Sequence, residues 1–478
     1  MKKLIAFLLA LVMILGLVAC GTKEATPVET PVETPKETPT EKEGAPVEEA
    51  PEEVAPAEKQ SLRIAVLVGS SEDKAADSPY LAWVKRAYDN WELKDQVELE
   101  IEEVYGSSSD FLTKMQLEIS AENTCPDIFW EDSFQLTADV AAGYVADISQ
   151  YLNEWEAWND GTVIEAMKTQ VTVGNGVYGI PSTTDARGLI YNKTVLIEAG
   201  VLESYEDEWQ PANWQELLDT LYAIKENTDA VPFWTCMSAG EGEGTSMHNF
   251  ETWFYATGEQ LMYNDDGNWN LDGQAWEDTA TVLSTIVNDG LTMPTAELLD
   301  AKPSAYAFEY MQNNNMGVIL HNTSNCSRFG PDGKSTLVEG DYTEVLGLAA
   351  MPTQNGDGAK YSTMSGGLCW SVPALSDNQE LAAQFLMHMM SAENYLPFIV
   401  DYGSLSVLDL SAYPEYVDRP FTQEATNLVA YTHFRPHHEQ YSAVSTCIYQ
   451  MVENLATGMS VEEALDVFRA DAEFAINS

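Results

Sequence analysis

Positive charge, cysteine and long apolar segments are all scarce in this sequence. Its 478 residues contain 23 Lys and Arg against 76 Asp and Glu, which gives a formal net charge of −53. A surface this acidic repels nucleic acid and anionic lipid, so neither is expected as a partner. The charge says little about a neutral ligand, because an acidic surface neither attracts nor excludes one.

Cysteine and histidine lack the spacing of a metal site. Five cysteines follow Cys20, so at least one thiol is unpaired, and the spacing does not place a disulfide among the others. His433, His437 and His438 cluster, but Pro436 interrupts the helix that a four-residue metal spacing requires, and a solvated or ligand-rim role is predicted instead. The sequence contains no G-x-S-x-G, no H-E-x-x-H and no phosphate loop with lysine, so we predict no cofactor, no metal and no catalytic residue.

The first twenty residues have the pattern of an export signal. Lys2 and Lys3 precede an apolar segment at 4–17, and small residues lead to Ala19-Cys20. The cysteine at this position resembles the lipobox of bacterial lipoproteins, which implies cleavage after residue 19 and a lipid on Cys20. The alternative is an ordinary signal peptide with an incidental cysteine. Because the apolar segment is shorter than the roughly 20 residues of a membrane span, we predict a protein anchored at the outer face of the cell membrane.

Residues 20–60 have the composition of a disordered tether. Proline recurs every four residues at Pro27, Pro31, Pro35 and Pro39, and glutamate fills most of the gaps. Such a segment buries too little apolar surface to offset its ordering entropy. Proline and like charges extend it, at about 3.1 Å per residue, so it is predicted to hold a globular domain away from the membrane.

Alternating strand and helix patterns fill the rest of the chain, and its length favours two lobes. In the first part, strands are predicted at 62–68, 97–104 and 127–130, and helices at 80–91 and 110–120, the latter capped by Ser109 or Asp110. Further on, strands are predicted at 176–180, 189–191 and 232–234, helices at 214–226, 245–257 and 274–289, the first of them capped by Asn213, and a hairpin turn at 264–268. This alternation indicates doubly wound α/β lobes.

Several short segments, in order, resemble a hallmark of bacterial extracellular solute-binding proteins of family 1, the group of maltose-binding protein. The segments are PDI at 126–128, AAGYVADI at 141–148, VYGIP at 177–181, TDARG at 184–188, IYNK at 190–193, AGV at 199–201, WQELL at 214–218, MPT at 351–353, SGG at 365–367, AAQFL at 382–386, RP at 435–436 and GMSVEEAL at 458–465.

The resemblance implies a type II periplasmic-binding-protein fold, in which two α/β lobes are joined by hinge crossovers. We place the N-terminal lobe at 61–172 and 361–410, and the C-terminal lobe at 173–360 and 411–478. It also implies that a carbohydrate, favoured as an oligosaccharide, is captured between the lobes and delivered to the permease subunits of an ABC importer. We expect a monomer.

Aromatic rings suit the apolar faces of a sugar, and charged or amide groups suit its hydroxyls. Candidate residues therefore combine these types at strand ends or in segments that resemble the family, and for several the alternative is structural: a core position for Trp130, Trp253 and Trp370, an inter-lobe ion pair for Arg187, and a tight hinge turn for the two glycines. The predicted ligand-binding residues are Trp130, Glu131, Asp132, Asp185, Arg187, Trp234, Trp253, Asn322, Gly366, Gly367, Trp370, Arg435 and Tyr441.

Three other functions are consistent with the same sequence. A secreted glycoside hydrolase needs two carboxyl groups at a set separation in space, which sequence does not show. A surface adhesin would bind saccharide without a transporter. The same fold can also bind another solute, such as a polyamine or an anion.

Overall fold

The structure of the protein, a computed structural model, describes residues 59–69, 78–120, 125–258, 262–263, 267–330 and 341–477. The predicted signal peptide, Cys20 and the tether up to residue 58 lie outside these ranges, as does the centre of the predicted turn at 264–268. Tyr263 and Trp269, which flank that turn, form an antiparallel bridge.

The described strands form two main sheets and two small ones. In chain order they are β1 Gln60–Gly69, β2 Val97–Tyr105, β3 Ile128–Asp132, β4 Thr172–Val173, β5 Gly176–Val177, β6 Ile180–Thr184, β7 Arg187–Asn192, β8 Val231–Trp234, β9 Met316–Asn322, β10 Leu346–Ala349, β11 Met351–Pro352, β12 Tyr361–Ser365, β13 Gly367–Ser371 and β14 Thr432–Phe434. The main sheets have the orders β2-β1-β3-β13-β6 and β10-β7-β9-β8; the small ones are β11-β12-β14 and β4-β5.

Helices surround these sheets. In chain order the α-helices are α1 Pro79–Asp89, α2 Ser108–Ile119, α3 Ser133–Ala141, α4 Ser149–Leu152, α5 Glu156–Asn159, α6 Glu165–Lys168, α7 Lys193–Glu198, α8 Trp214–Asn227, α9 Glu243–Thr245, α10 Glu251–Ala256, α11 Gln274–Asn288, α12 Thr295–Leu298, α13 Pro303–Gln312, α14 Tyr342–Val345, α15 Gln379–Met389, α16 Ala392–Tyr402, α17 Pro414–Val417, α18 Thr422–Leu428, α19 Tyr441–Ala456 and α20 Val461–Ile476. Tighter turns occur at Thr169–Val171, Ala239–Glu241, Thr323–Phe329 and Val429–Tyr431, and a π-turn joins α9 to α10 at Ser246–Phe250.

Local sequence accounts for many of these elements. The side chain of Asn213 accepts from the backbone N–H of Glu216 and caps α8, as the sequence predicts. The cap of α2 is Ser107 rather than the predicted Ser109 or Asp110, because Ser107 and Asp110 form a reciprocal capping box. β1 is buried along most of its length, as expected of a strand covered on both faces.

Two hydrophobic cores define the lobes. The first core takes its buried residues from 62–180 and 369–416, and the second from 189–364 and 444–472. The chain passes between the main sheets from β6 to β7 and, running from β12, enters the first sheet again at β13. The prediction that residues 173–184 belong to the C-terminal lobe is wrong, because β6 pairs with β13 in the first sheet, a long-range partner that local sequence does not reveal. The predicted boundaries at 361 and 410 are also shifted, because Met364 packs in the second core and Tyr416 in the first.

An aromatic cluster stabilises the first lobe. Trp83 is fully buried and stacks on Phe398 at 4.1 Å, with Trp370 and Tyr395 at 6.1 and 5.6 Å. Its indole N–H donates to the carbonyl of Met389 at 2.9 Å, which ties α1 to α15. The cluster therefore holds helices from both chain segments of this lobe against the sheet.

We expect Trp83→Ala to destabilise the protein by about 3–5 kcal/mol, because it leaves a large cavity and removes this hydrogen bond. Urea unfolding followed by circular dichroism measures the change. Leu117→Ala is the control: Leu117 is 69% exposed, so its truncation should have an effect within about 0.5 kcal/mol. Similar unfolding midpoints for the two variants would contradict a structural role for the cluster.

Candidate functional site

A cleft lies between the lobes, at the point where the chain passes from one sheet to the other. It contains a cavity of about 410 Å³, called here the first cavity. The first lobe, the second lobe and the crossing segments all contribute to its wall. The lining residues are Asp132, Thr183, Thr184, Asp185, Arg187, Met247, Asn322, Ser324, Gly366, Gly367, Leu368, Tyr402, Gly403, Ser404 and Arg435.

Asp185 holds the floor of this cavity together. It lies between β6 and β7 and forms an ion pair with Arg187, whose side chain is 4% exposed. Its carboxylate also accepts from the backbone N–H of Gly366 at 2.7 Å and from the side-chain amide of Asn322 at 2.9 Å. Burial lowers the pKa of Arg187, and the negative charge of Asp185 opposes that shift. The ion pair with this carboxylate therefore favours the charged guanidinium.

Arg435 connects the two sides of the cleft. Its guanidinium donates to Asp132 of the first lobe at 2.8 Å and lies 3.9 Å from Glu243 of the second lobe. It also lies over the ring of Phe134, 4.8 Å from the ring centre. Burial disfavours its charge, yet the carboxylates of Asp132 and Glu243 hold the pKa of Arg435 above its ordinary value.

Two carboxyl groups lie behind Arg435: Glu251 is buried, and Glu243 is half-buried. Tyr441 is hydrogen-bonded to Glu243 and lies 2.9 Å from Glu251, and Ser445 donates to Glu243 at 2.5 Å. Burial raises the pKa of both acids, that of Glu251 to about 8. Because a phenol has a single hydrogen, the two contacts of Tyr441 are satisfied together when Glu251 keeps its proton and donates it.

A stack of rings supports Arg187 from the second lobe. Arg187 Nε donates to His248 Nδ1 at 2.8 Å, which makes His248 a neutral imidazole with its proton on Nε2. The His248 ring stacks on His321 at 4.2 Å, and His321 stacks on Trp234 at 5.6 Å. Burial and the neighbouring His321 and Arg187 lower the pKa of His248 well below its usual value. His248 and Met247 lie in the π-turn, a feature often found at functional sites.

The predicted polar residues and the two predicted glycines come together at this cleft. Gly366 and Gly367 are adjacent to protein as well as to the cavity: a Cβ on Gly366 would approach Met247 to 2.9 Å, and one on Gly367 would lie 1.9 Å from Gln170. A Cβ on Gly367 would also lie 2.6 Å from the backbone oxygen of Thr183, so close packing requires glycine there, whereas the flexible end of Met247 could move away from a Cβ at position 366. The predicted residues that line the first cavity are Asp132, Asp185, Arg187, Asn322, Gly366, Gly367 and Arg435.

The predicted tryptophans, with Glu131 and Tyr441, do not line the cavity. Trp130 packs edge-on against Phe111 at 5.5 Å, and Trp253 packs against Trp214 at 4.9 Å. This result corrects the prediction that these rings stack on a ligand, and the structural alternative holds for them because their rings point into the lobe cores. At most 3% of each residue's surface is exposed for Trp130, Glu131, Trp234, Trp253, Trp370 and Tyr441.

Glu131 is buried inside the first lobe rather than at its edge. None of its surface is exposed, and burial together with nearby Asp139 raises its pKa well above the usual range. A carboxyl group in this environment keeps its proton. It is therefore not available to a ligand in the cleft.

Tyr402 is a cleft residue that the sequence analysis missed. It is 40% exposed and packs on Phe398 at 5.5 Å and Tyr80 at 5.1 Å. Desolvation in the cleft and the carboxylates of Asp185 and Asp132 raise the pKa of Tyr402 to about 12, so its phenol is a neutral donor. The sequence signal that points to Tyr402 is the glycine that follows it. Gly403, with φ 78°, ends α16 and leaves Tyr402 at the cleft.

A second cavity, also of about 410 Å³, adjoins the first. The two share the lining residues Asp185, Asn322 and Ser324 and the segment 402–404. From there the second cavity extends between the turn at Thr323–Phe329 and the start of α18. The cleft therefore has two connected compartments.

Metal-binding and membrane-spanning features are absent from the part of the chain that the structure describes. In these residues no three His, Cys, Asp or Glu side chains are grouped to hold a metal ion. The cysteines after Cys20 are described and are all free thiols. None of the described helices has the length and hydropathy needed to cross a membrane.

Two α/β lobes that close on a polar cleft are the architecture of hinged solute receptors. Residues 89–423 match the family of bacterial extracellular solute-binding proteins, and the chain belongs to this family. The resemblance noted in the sequence is thus confirmed. A binding protein of Brucella abortus is 27% identical over 202 residues, which are 38% of this chain and 45% of that protein. The chain thus matches less than half the length of this curated relative.

Solved structures share the fold at low identity. The cyclic α-maltosyl-1,6-maltose binding protein of Arthrobacter globiformis is 20% identical with a TM-score of 0.70, covering 88% of this chain and 99% of that one. An ABC transporter solute-binding protein of Thermotoga lettingae, bound to α-D-tagatose, is 18% identical with a TM-score of 0.67, covering 87% and 100%. These similarities confirm the predicted two-lobed α/β fold.

We expect Glu251→Gln to remove a loss of stability that the wild type shows as pH rises from about 4.5 to about 8. The pKa of Glu251 is about 8 when folded against an ordinary 4.5, so its contribution is complete below about pH 4.5 and is lost as pH rises to about 8. Glutamine is neutral throughout, and its side-chain amide can donate to the Tyr441 oxygen as the protonated carboxyl of Glu251 does. In thermal melts from pH 4.5 to 8.5, the melting temperature of the variant should rise relative to that of the wild type as pH increases. Glu165→Gln, at an 86% exposed side chain, should run parallel to the wild type; parallel curves for both variants would refute the assignment.

Proposed function

We propose that this protein captures a neutral carbohydrate in the cleft between its lobes and delivers it to the permease subunits of an ABC importer. The balance of charge in the first cavity carries the proposal. Its charged lining residues are two acids, Asp132 and Asp185, and two bases, Arg187 and Arg435. Each acid is paired with a base. A polyamine would be repelled by the two guanidinium groups of this cavity and an inorganic anion by its two carboxylates, whereas a neutral polyhydroxylated ligand would not be repelled by either.

The chemistry of these groups also suits a sugar. Carboxylates and guanidinium groups form the strongest hydrogen bonds to hydroxyls, and Tyr402 offers a supported aromatic surface for an apolar sugar face. The binding of sugars by the two similar solved proteins, one of them from an ABC transporter, supports the same ligand class and partner. Family membership favours binding over hydrolysis.

We expect Asp132→Asn to weaken sugar binding at least about tenfold, equivalent to about 1.4 kcal/mol, because it breaks the charge pair with Arg435 at the cavity wall. Asparagine still caps α3, where Asp132 accepts from the N–H of Phe134, but it leaves the buried guanidinium of Arg435 without its nearest carboxylate, so stability should also fall and affinity is measured well below the melting range of the variant. Calorimetry on the full-length protein, with mono-, di- and trisaccharides of glucose and xylose, measures the affinity. Thermal melts measure the stability.

Asp272→Asn is the matched control, because Asp272 forms an exposed ion pair with Arg469 on the surface. It should leave affinity unchanged. Stabilisation by spermidine or phosphate, with no response to any saccharide, would disprove the carbohydrate assignment. Sustained release of reducing sugar from maltotriose would instead favour the hydrolase.

We also propose that Cys20 carries the lipid that holds the protein at the outer face of the cell membrane, after removal of residues 1–19. The support is the order of charged, apolar and small residues before Cys20 and the proline- and glutamate-rich composition that follows it. An extended tether would let the lobes meet solute while remaining close to a membrane transporter. The binding unit is proposed to act as a monomer.

In cells, we expect the wild-type protein to partition into the detergent phase and Cys20→Ser to appear in the aqueous fraction, because the serine hydroxyl cannot form the thioether to the lipid. Mass spectrometry of the N-terminal peptide should show acyl chains on Cys20. Cys125→Ser is the matched control, since Cys125 is a free cysteine within the folded unit, and it should remain membrane-bound. An unmodified Cys20 in the exported protein would rule out the anchor.

A further inference from the structure

A third cavity lies outside the cleft, against the small sheet β11-β12-β14. Its volume is about 310 Å³, and its described lining shares no residue with the lining of the first or the second cavity. The end of α10, the turn between β11 and β12 and the segment that leads into β14 form its wall. The third cavity is therefore large enough for a small molecule and is separate from the proposed sugar site.

Aromatic rings form much of this wall. Tyr361 and Tyr431 are half-buried, and their rings meet edge to face with centres 5.3 Å apart. Tyr255 and His433 stack in parallel at 4.7 Å. Tyr255 is part of the second core, whereas Tyr431 belongs to none of the hydrophobic clusters that the described residues form. Packing in a core therefore does not account for the ring of Tyr431.

The charge of the lining is negative. Asp357, in the turn between β11 and β12, is the ionised side chain of the described lining. His433 also lines the cavity, but burial lowers its pKa, so its imidazole is neutral. Lys360, in the same turn, is exposed and does not belong to the lining. Unlike the first cavity, where two acids are paired with two bases, the third cavity therefore favours a cation.

The rings select among cations. A metal ion needs several ligands, and the described residues contain no group of three His, Cys, Asp or Glu side chains that could hold one. A primary ammonium group is compact and strongly hydrated, so it binds mainly by donating hydrogen bonds. A quaternary ammonium ion has no N–H to donate, and aromatic faces attract its charge through the methyl groups that surround it. Half-buried tyrosine rings with one carboxylate match this last class.

We propose that the third cavity is an accessory site for a small quaternary ammonium ion. The methyl groups of the cation lie against the rings of Tyr361 and Tyr431, and the carboxylate of Asp357 balances its charge. The backbone carbonyl of Asp357 accepts from the N–H of Lys360 and from the hydroxyl of Thr353, both at 3.0 Å, which fixes the turn that carries this carboxylate. Because this cavity does not overlap the cleft, the inference does not depend on the proposed capture of a carbohydrate.

Choline and neohexanol test the site, because the two molecules share a shape and only choline carries a charge. Calorimetry on the full-length protein should show one choline site and at least about tenfold weaker binding of neohexanol. Asp357→Asn should weaken choline binding at least about tenfold, since it removes the charge and keeps the backbone contacts of the turn. Tyr431→Leu should weaken it similarly and Tyr431→Phe should not, because phenylalanine keeps the aromatic face.

Asp377→Asn is the matched control. Asp377 is also an exposed acid but does not line the third cavity, so this variant should bind choline as the wild type does. Asp132→Asn alters the first cavity and, measured below its melting range, should also keep its affinity for choline. No binding of choline at millimolar concentrations, or equal binding of choline and neohexanol, would overturn the proposal. A loss of choline binding in Asp132→Asn but not in Asp357→Asn would also overturn it, because the cation would then lie in the cleft.

Discussion

The ion pair between Asp185 and Arg187 is the interaction on which the cleft depends. A guanidinium that is 4% exposed is stable in the protein only when its charge is paired and its donors are used. Asp185 supplies that pairing while it also accepts from Gly366 and Asn322. Gly366 lies where the chain enters the first sheet, and Asn322 ends β9 of the second sheet. A single carboxylate therefore holds together the segments that cross between the sheets and the floor of the cleft.

The same arrangement connects ligand binding to the relative position of the lobes. Arg435 contacts Asp132 in one lobe and lies near Glu243 in the other, while its ring partner, Phe134, belongs to α3. A ligand stabilises a closed arrangement only through contacts that are better in that arrangement. The charged groups of the first cavity are already paired with one another. A ligand therefore gains most affinity by adding uncharged hydrogen-bonding groups and ring contacts to these ion pairs, and less by bringing a charge that competes with them.

Sequence predicted the features that depend on near neighbours. The cap of α8 by Asn213 and the buried strand β1 follow from local pattern, and Asp132 and Asp185 lie at strand ends where ligands meet α/β sheets. The lobe to which β6 belongs depends on its pairing with β13, far along the chain, which no local pattern encodes. The face on which Trp234 lies depends on its stacking with His321, and residue type alone gave the wrong side.

The buried tryptophans and the buried acids have a common consequence for specificity. Large rings such as Trp253 and Trp370 are buried in the lobe cores, which leaves recognition to short polar side chains and to rings at element ends, such as Tyr402. Arg435 donates to Asp132 and lies near Glu243, and the buried Glu251 behind them lowers stability as pH rises, because it resists ionisation. A guanidinium that is held between Asp132 and Glu243 makes recognition in the cleft depend on the direction of hydrogen bonds. That dependence favours a ligand whose hydroxyls have fixed orientations, as those on a sugar ring do.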